Sequence, residues 1–194
     1  MNDSRIRAQY MTVTMSSERL ILRPWHDDDL DALAALCADP EVMAHFPSVL
    51  DRSGSADLLA RLQAHQAEHG FTFWALQRQL DDQVIGFTGL ARVSFDAPFV
   101  PAVEIGWRLA RPFWGQGYAL EAAQRALCFA FDELALAEVV SFTVPANHRS
   151  WGVMQRLGMR RDLAGDFEHP SLPEGHPLRP HLLYRIAREA WHGR

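Results

Sequence analysis

A strand, a glycine pair and a long amphipathic helix follow one another between residues 103 and 134, and this succession constrains the fold most. Gly115 and Gly117 stand just before the helix, in the stretch RPFWGQGYALEAAQ. Glycine is a poor helix former, so a pair at this point needs a reason. A helix N-terminus carries free N–H groups, and glycines let the backbone approach an anion there. The segment is a candidate phosphate-binding turn. These two residues alone fit a plain tight strand-to-helix turn equally well.

Two widespread phosphate loops do not fit this turn. A Walker A loop ends in Gly-Lys-Ser/Thr, whereas Tyr118 and Ala119 follow Gly117 here. A dinucleotide fingerprint needs a third small residue where Leu120 stands, and an acid at the end of the next strand, which reads FTVPAN. The sequence therefore excludes a nucleoside-triphosphate loop and disfavours a dinucleotide site.

Hydrophobic periodicity predicts the order strand, two or three helices, three strands, helix, strand, helix, two strands. The predicted strands cover residues 19–24, 71–77, 84–95, 103–110, 138–144, 159–167 and 181–186. The predicted helices cover about residues 27–39, 41–45, 55–69, 118–134 and 149–157, with a half-turn at 187–191. Helices and strands mix without a regular βα repeat, so we expect an α/β fold of the α+β kind with a mixed sheet.

The composition suits one domain. The chain has 194 residues, of which 48% are hydrophobic, and we expect a flexible extension at residues 1–17 and a single domain at 18–194. The net charge of −5 lacks the basic excess of a nucleic-acid-binding protein. No apolar run is long enough for a membrane span and no signal pattern opens the chain, so we expect a cytoplasmic protein without a membrane partner. Cys37 and Cys128 lie in apolar helical patterns and are expected to be reduced, buried residues.

The glycine turn resembles the pyrophosphate loop of the Gcn5-related N-acetyltransferase (GNAT) superfamily, which reads Gln/Arg-x-x-Gly-x-Gly/Ala. In WGQGYA, Gly117 and Ala119 match the last two places, and Trp114 stands where Gln or Arg is usual. This departure removes a polar side chain. In the family, this loop binds pyrophosphate mainly through backbone N–H groups. The departure therefore weakens the match to the motif more than it weakens the expected pyrophosphate binding.

Two further blocks carry the resemblance. NHRSWGVMQRLGM supplies Asn147 and Ser150 of the family's Asn-x-x-Ala/Ser pattern, then Gly158, with Met159 in place of Phe. Taken alone, Asn147 fits a helix N-cap. In the family, the corresponding residue also hydrogen-bonds the pantetheine arm of coenzyme A, and the two roles are compatible. The stretch beginning at Glu104, EIGWRLARPFWGQGYA, is similar to the branch of ribosomal-protein alanine and serine acetyltransferases, the RimJ/RimL-like proteins.

The resemblance implies the fold and the cosubstrate. In the family, strands 4 and 5 of the mixed sheet splay into a V-shaped cleft that holds acetyl-coenzyme A, and pantetheine pairs with the fourth strand, here residues 107–111. A backbone N–H near Leu109 or Ala110 is then the expected donor to the thioester carbonyl. The implied cofactor-binding residues are Leu109, Ala110, Arg111, Trp114, Gly115, Gln116, Gly117, Tyr118, Ala119 and Asn147.

Two residues are candidate catalysts. Glu104 lies in the apolar run VPAVEIGWRL, where a carboxylate is costly unless it is used or paired. It is the candidate base, and the alternative is an outward-facing strand residue. Ser150 is the candidate acid, because Met154 replaces a tyrosine common in relatives, and the alternative is a first-turn helix serine. The histidines are scattered and no H-x-x-H or C-x-x-C pair exists, so we expect no metal.

The expected function is therefore acetyl transfer from acetyl-coenzyme A to a primary amine by direct attack. The acceptor is either a protein N-terminus or a small-molecule amine, bound by residues 39–50 and 170–179. A non-catalytic acyl-coenzyme A sensor or scaffold is the alternative. The sequence fits a monomer or a homodimer.

Overall fold

The computed structural model describes residues 13–193 of the chain. Nine strands and five α-helices follow the predicted order within this range. The strands are β1 (Met15–Ser16), β2 (Leu20–Arg23), β3 (Phe73–Arg78), β4 (Val84–Arg92), β5 (Val103–Leu109), β6 (Glu138–Thr143), β7 (Arg160–Arg161), β8 (Phe167–Glu168) and β9 (Pro180–Ala187). The helices are α1 (Leu30–Ala38), α2 (Arg52–His69), α3 (Tyr118–Cys128), α4 (His148–Arg156) and α5 (Arg188–His192).

The strands form a mixed sheet in the order β1-β2-β3-β4-β5-β6-β9-β7, and β8 pairs separately with β9. Every pairing among the described strands is antiparallel except that of β5 with β6. The strands counted as fourth and fifth in the sequence are β5 and β6, because β1 adds a strand at the sheet edge.

Helices cover both faces of the sheet. Helix α3 lies on one face, where Ala123 and Leu127 are fully buried against Ile105 and Trp74. Leu120 and Leu134 of the predicted apolar face pack at the border of this cluster. Helices α1 and α2 cover the other face around Phe87. Residues that alternate along β5 therefore enter two different environments.

Two local predictions are wrong. Residues 41–45 form turns rather than a helix. The segment between Pro40 and Pro47 holds only a few isolated hydrogen bonds, such as that from Phe46 N–H to the Met43 carbonyl, because helix nucleation is costly in so short a stretch. The strand predicted at 159–167 consists of the two short strands β7 and β8 separated by a turn.

The N-terminal prediction is also wrong in part. Residues 1–12 of the expected extension lie outside the described range, but Met15 pairs with Leu22 and Ser16 with Ile21. Met15 is buried. The folded domain therefore begins before residue 18.

Candidate active site

A cleft opens where β5 and β6 part. The two strands share a single bridge, between Glu104 and Val140. Next to it, the Ser141 hydroxyl donates a hydrogen bond of 2.9 Å to the Ile105 carbonyl. Toward the carboxyl ends of both strands the space between them is a cleft of about 1170 Å³. The sequence-predicted residues Glu104, Leu109, Asn147 and Ser150 all line it.

Backbone groups of β5 face this cleft. The Ala110 N–H donates to the Ile85 carbonyl at 2.9 Å, so Ala110 is not the free donor that the sequence suggested. Because backbone groups alternate in an antiparallel pair, those of Leu109 and Trp107 point away from β4 and toward β6. The Leu109 carbonyl accepts the indole N–H of Trp114 at 2.7 Å. The Leu109 N–H is thus the candidate carbonyl donor.

The glycine turn has the geometry of an anion cradle. Gly115 and Gly117 have φ values of +73° and +84°, which side chains disfavour. A Cβ at Gly115 would meet nothing within 4 Å, so the turn is open on that side. Gly117 caps α3, and the Glu121 N–H is the first to bond back, to the Gly117 carbonyl at 3.0 Å. The N–H groups before it have no intrahelical acceptor.

An arginine that the sequence did not single out braces this turn. Arg19 Nε donates to Glu121 Oε2 at 2.6 Å and Arg19 Nη1 donates to the Gln116 carbonyl at 3.0 Å. Its guanidinium lies 4.4 Å from the centre of the Tyr118 ring. Partial burial works to raise the pKa of Glu121, but hydrogen bonds from Ser17 and Arg19 outweigh it and lower that pKa. Glu121 is thus ionised, and its ion pair with Arg19 balances the negative charge that it places in the first turn of α3. The sequence did not indicate Arg19 because this residue lies 97 positions before Gln116 in the chain.

The second predicted motif begins α4. The Asn147 side chain caps the helix, accepting from the Ser150 N–H at 3.3 Å. Its amide donates to the Thr143 hydroxyl at 3.0 Å. This fixes Asn147 between the end of β6 and the start of α4, and it leaves one amide hydrogen for a ligand. Ser150 lies half-buried in the first turn, beside Asn147 on the cleft wall.

Comparison with known proteins identifies the family. Residues 19–160 match the family model described as an acetyltransferase (GNAT) domain. The chain belongs to the GNAT acetyltransferase family. Its members use acetyl-coenzyme A, and this protein is an N-acetyltransferase. The expected family and mixed-sheet fold are confirmed.

Individual relatives support the assignment. The uncharacterized N-acetyltransferase YnaD of Bacillus subtilis (strain 168) is 27% identical over 177 residues, which cover 91% of this chain and 98% of YnaD. The GNAT-family acetyltransferase from Bacillus anthracis shares the fold with a TM-score of 0.75 and 24% identity, covering 91% of this chain and 99% of that one. RimJ of Mycobacterium smegmatis, solved in complex with CoA-disulfide, gives a TM-score of 0.72 and 20% identity, covering 92% and 91%.

Within this GNAT cleft, Glu104 has an uncommon environment. Its carboxylate is half-buried and lines the cleft. No side chain among residues 13–193 forms an ion pair or hydrogen bond with it. Burial raises its pKa from 4.5 to about 8. A carboxyl group with such a pKa exchanges a proton readily near neutral pH.

Two side-chain contacts connect the region of the glycine turn to the rest of the GNAT domain. The Trp114 ring lies under the guanidinium of Arg149, 4.5 Å from its centre. Since Arg149 belongs to α4, this contact crosses the cleft. Arg111 forms an exposed ion pair with Glu41 in the turns after α1. The structure thus brings Arg149 and Glu41 to the predicted site. Arg149 stands at an unspecified position of the Asn-x-x-Ala/Ser pattern, and Glu41 lies outside the motifs.

Aromatic rings surround the far end of the cleft. Phe142 and two histidines that the sequence left scattered, His169 and His181, line it. The two histidine rings lie 5.2 Å apart. Burial lowers the pKa of both histidines. The nearby His181 lowers the pKa of His169 further, whereas a backbone hydrogen bond at Arg179 and the charge of Glu168 partly oppose the shift at His181. They are therefore neutral aromatic wall residues near pH 7. Trp74, by contrast, is fully buried core.

Other chemistries find little support in the described residues. Within residues 13–193 there is no group of three or more side chains suited to a metal ion. No helix in the same range is long and apolar enough to cross a membrane. Cys37 and Cys128 are both free. Cys37 is buried as predicted, whereas Cys128 is only half-buried, and burial raises the pKa of its thiol.

Proposed function

We propose that this acetyltransferase moves the acetyl group of acetyl-coenzyme A directly to a primary amine, with Glu104 as the general base. The amine is a small molecule or a protein N-terminus. The observation that carries the proposal is the unpaired Glu104 carboxyl group on the cleft wall, with its pKa raised to about 8. An α-amine titrates at about 7.7–8.0, so the proton can pass between the two groups with little free-energy difference.

The cosubstrate is held by the residues that the motifs predicted. The free N–H groups at the start of α3 fit a pyrophosphate, and the open side of Gly115 admits it. The Leu109 N–H is placed to polarise the thioester carbonyl, and Asn147 to hydrogen-bond the pantetheine arm. The proposed binding surface also includes the remaining residues of the motif region: Ala110, Arg111, Trp114, Gln116, Gly117, Tyr118 and Ala119.

The proposed reaction needs no covalent enzyme intermediate. The amine nitrogen attacks the acetyl carbon, Glu104 takes its proton, and the carbon–sulfur bond breaks. Ser150 gives a proton to the departing thiolate and regains one from water. Neither cysteine suits an alternative route, because Cys37 is buried and does not line the cleft, and Cys128 is outside the cleft with its thiol pKa raised by burial.

Replacing Glu104 tests the proposal. Glu104→Gln should lower kcat by about 10²–10⁴-fold, because one general base contributes that much. In the wild type, kcat/KM should rise with pH up to about 8 as the carboxyl group ionises, and the variant should keep only the part of this dependence that comes from titration of the amine itself. The measurement is thiol release from acetyl-coenzyme A with a panel of amines and N-terminal peptides.

Coenzyme A affinity by calorimetry is the control, and it should be nearly the same in Glu104→Gln as in the wild type. Ser150→Ala should cost less activity, because water can protonate the thiolate. Wild-type kcat in Glu104→Gln across the pH range would remove Glu104 from the mechanism. Tight coenzyme A binding without thiol release on any acceptor would instead favour an acyl-coenzyme A sensor.

A further inference from the structure

An arginine on the cleft wall has no anionic partner. Arg108 lies on β5 and lines the cleft. Its Nε is buried without a hydrogen-bond partner. Its Nη1 donates to Cys37 Sγ at 3.3 Å, and sulfur is a weak acceptor. No carboxylate among residues 13–193 forms an ion pair with it.

Aromatic rings hold this guanidinium in place. It lies 3.9 Å from the centre of the Phe46 ring and 5.0 Å from that of Phe87. Cation–π contacts offset only part of the free energy lost when a charge leaves water. A positioned, largely dehydrated guanidinium is suited to bind a planar anion through two parallel hydrogen bonds. The missing partner is therefore expected to be a ligand.

Pyrophosphate does not account for this charge. Ile105 and Leu109 of β5 face α3, whose N-terminus forms the glycine turn. Arg108 is on the opposite face, against Cys37 of α1 and Phe87. That face belongs to the side of the sheet covered by α1 and α2.

Arg108 shares its face with the proposed base. Glu104, Gly106 and Arg108 alternate along β5 and point to the same side of the sheet. The two charged residues are four positions apart on the strand, which places their Cα atoms roughly 13 Å from each other, and both side chains can shorten this span. Gly106 between them has no side chain, and the Phe73 ring covers it, 3.1 Å from where a Cβ would lie. Phe73 itself lines the cleft, so a small molecule can lie along this ring with one end at each charged residue.

We propose that Arg108 binds a carboxylate carried by the acceptor, so that the acceptor is a small amine with its own carboxylate, an amino acid in the broad sense. This inference rests on the proposed function, since it places the reacting amine at Glu104. It names one class among the amines that the proposed function allows.

Matched acceptors test the inference on the wild-type protein. Glycine, β-alanine, 4-aminobutyrate, 5-aminopentanoate, 6-aminohexanoate, leucine and phenylalanine are each compared with the corresponding carboxamide in the thiol-release assay. At the best spacing the acid should exceed its amide by roughly 10²-fold in kcat/KM, because the amide leaves the buried charge unpaired. Amides or amide-capped peptides that react as well as every acid would overturn the inference.

Substitution of Arg108 tests whether this residue causes the preference for the acid over the amide. Arg108→Gln should abolish the preference for the acid and leave the rate with the amide within a few-fold of wild type. Arg92→Gln, which changes an exposed arginine outside the cleft, is the matched control and should keep the preference. Coenzyme A affinity should be unchanged in both. A loss of coenzyme A affinity in Arg108→Gln would assign the charge to the cosubstrate and overturn the inference.

Binding of the acetylated product separates this inference from the proposed function. With coenzyme A present, calorimetry compares the N-acetylated acid with its amide on the wild type and on Arg108→Gln. The carboxylate site is supported if the wild type binds the acid but not the amide and the variant binds neither. This outcome supports it even where no acceptor releases thiol. Equal binding of acid and amide, or binding of neither, overturns it while leaving acetyl transfer to other amines intact.

Discussion

At the scale of single residues, the cleft keeps two charges that destabilise the folded chain. Glu104 has no partner on the cleft wall, and Arg108 has only Cys37 and two rings. Buried charges are normally paired, because dehydration is costly. Residues that break this rule are expected at functional sites, where a ligand supplies the partner.

Glu104→Gln should therefore stabilise the protein while it lowers activity. The folded-state pKa is about 8 against an ordinary value of 4.5, so the unfolded chain binds fewer protons between these values. Wild-type stability consequently falls as pH rises from about 4.5 to 8 and levels off above. The variant lacks this loss, and at pH 8 its free energy of unfolding should exceed that of wild type by at least about 1 kcal/mol.

Urea unfolding of both proteins from pH 4 to pH 9 measures this difference. The two curves should converge near pH 4, where the carboxyl group is protonated in both states. A constant difference across the range would show that Glu104 titrates normally and would contradict the assigned role.

The sequence could identify Glu104, because a carboxylate within an apolar strand is visible in one dimension. Arg108, two positions from Gly106 in the same run, was not singled out. In the folded chain Cys37, Phe46 and Phe87 surround its guanidinium in place of a carboxylate. The sequence does not show that these residues come together. An arginine in a strand is otherwise usually a solvated residue.

At the scale of elements, the glycine turn joins β5 to α3 and owes its shape to two left-handed residues. The same conformation occurs at Gly175, with φ +78° against +73° at Gly115, and a Cβ would meet nothing within 4 Å at either position. Gly175 lies in the loop before β9 and does not line the cleft. The two glycines form a natural matched pair.

Gly115→Ala should weaken coenzyme A binding by about 10-fold or more, because the new methyl group occupies the side from which the pyrophosphate approaches. Gly175→Ala should leave the affinity unchanged. Each should cost about 1 kcal/mol of stability through the left-handed backbone. Calorimetric titration and thermal unfolding measure the two effects, and equal affinities in the two variants would show that the turn is not the cradle.

Element prediction succeeded where a periodic pattern was long and failed where tertiary contacts decide. Strand β5 covers nearly its predicted range and helix α3 begins at its predicted residue, because their apolar faces lie on the core. The α-helix ends at Cys128 rather than near residue 134, and a π-helix continues it through Glu133. Residues 159–167 were predicted as one strand, but the chain turns at Gly165, whose N–H bonds to the Asp162 carbonyl. Arg19, which lies just before β2 and braces the turn, is 97 residues away from Gln116 in the chain.

At the scale of the whole molecule, the domain consists of two parts joined at one point of the sheet. β1 to β5 form one antiparallel part, and β6, β7 and β9 form the other. A single parallel bridge and the Ser141 hydroxyl connect them at the apex of the cleft. A ligand that lies between β5 and β6 contacts both parts, so binding and the stability of this junction are coupled.

Ser141→Ala should loosen this junction. It removes the donor to the Ile105 carbonyl, and leaving a buried acceptor unpaired costs roughly 1–3 kcal/mol. Ser55→Ala is the matched control, because Ser55 is equally buried but its hydroxyl has no hydrogen-bond partner among the described residues. That control should be neutral or stabilising.

Chemical unfolding with and without coenzyme A measures both effects. The ligand should stabilise the wild type more than Ser141→Ala, because the two strands of the variant are no longer held at the spacing that the ligand requires. Equal ligand-induced stabilisation in the two proteins would mean that the apex does not set the width of the cleft, and the bridge between Glu104 and Val140 would then have to hold it alone.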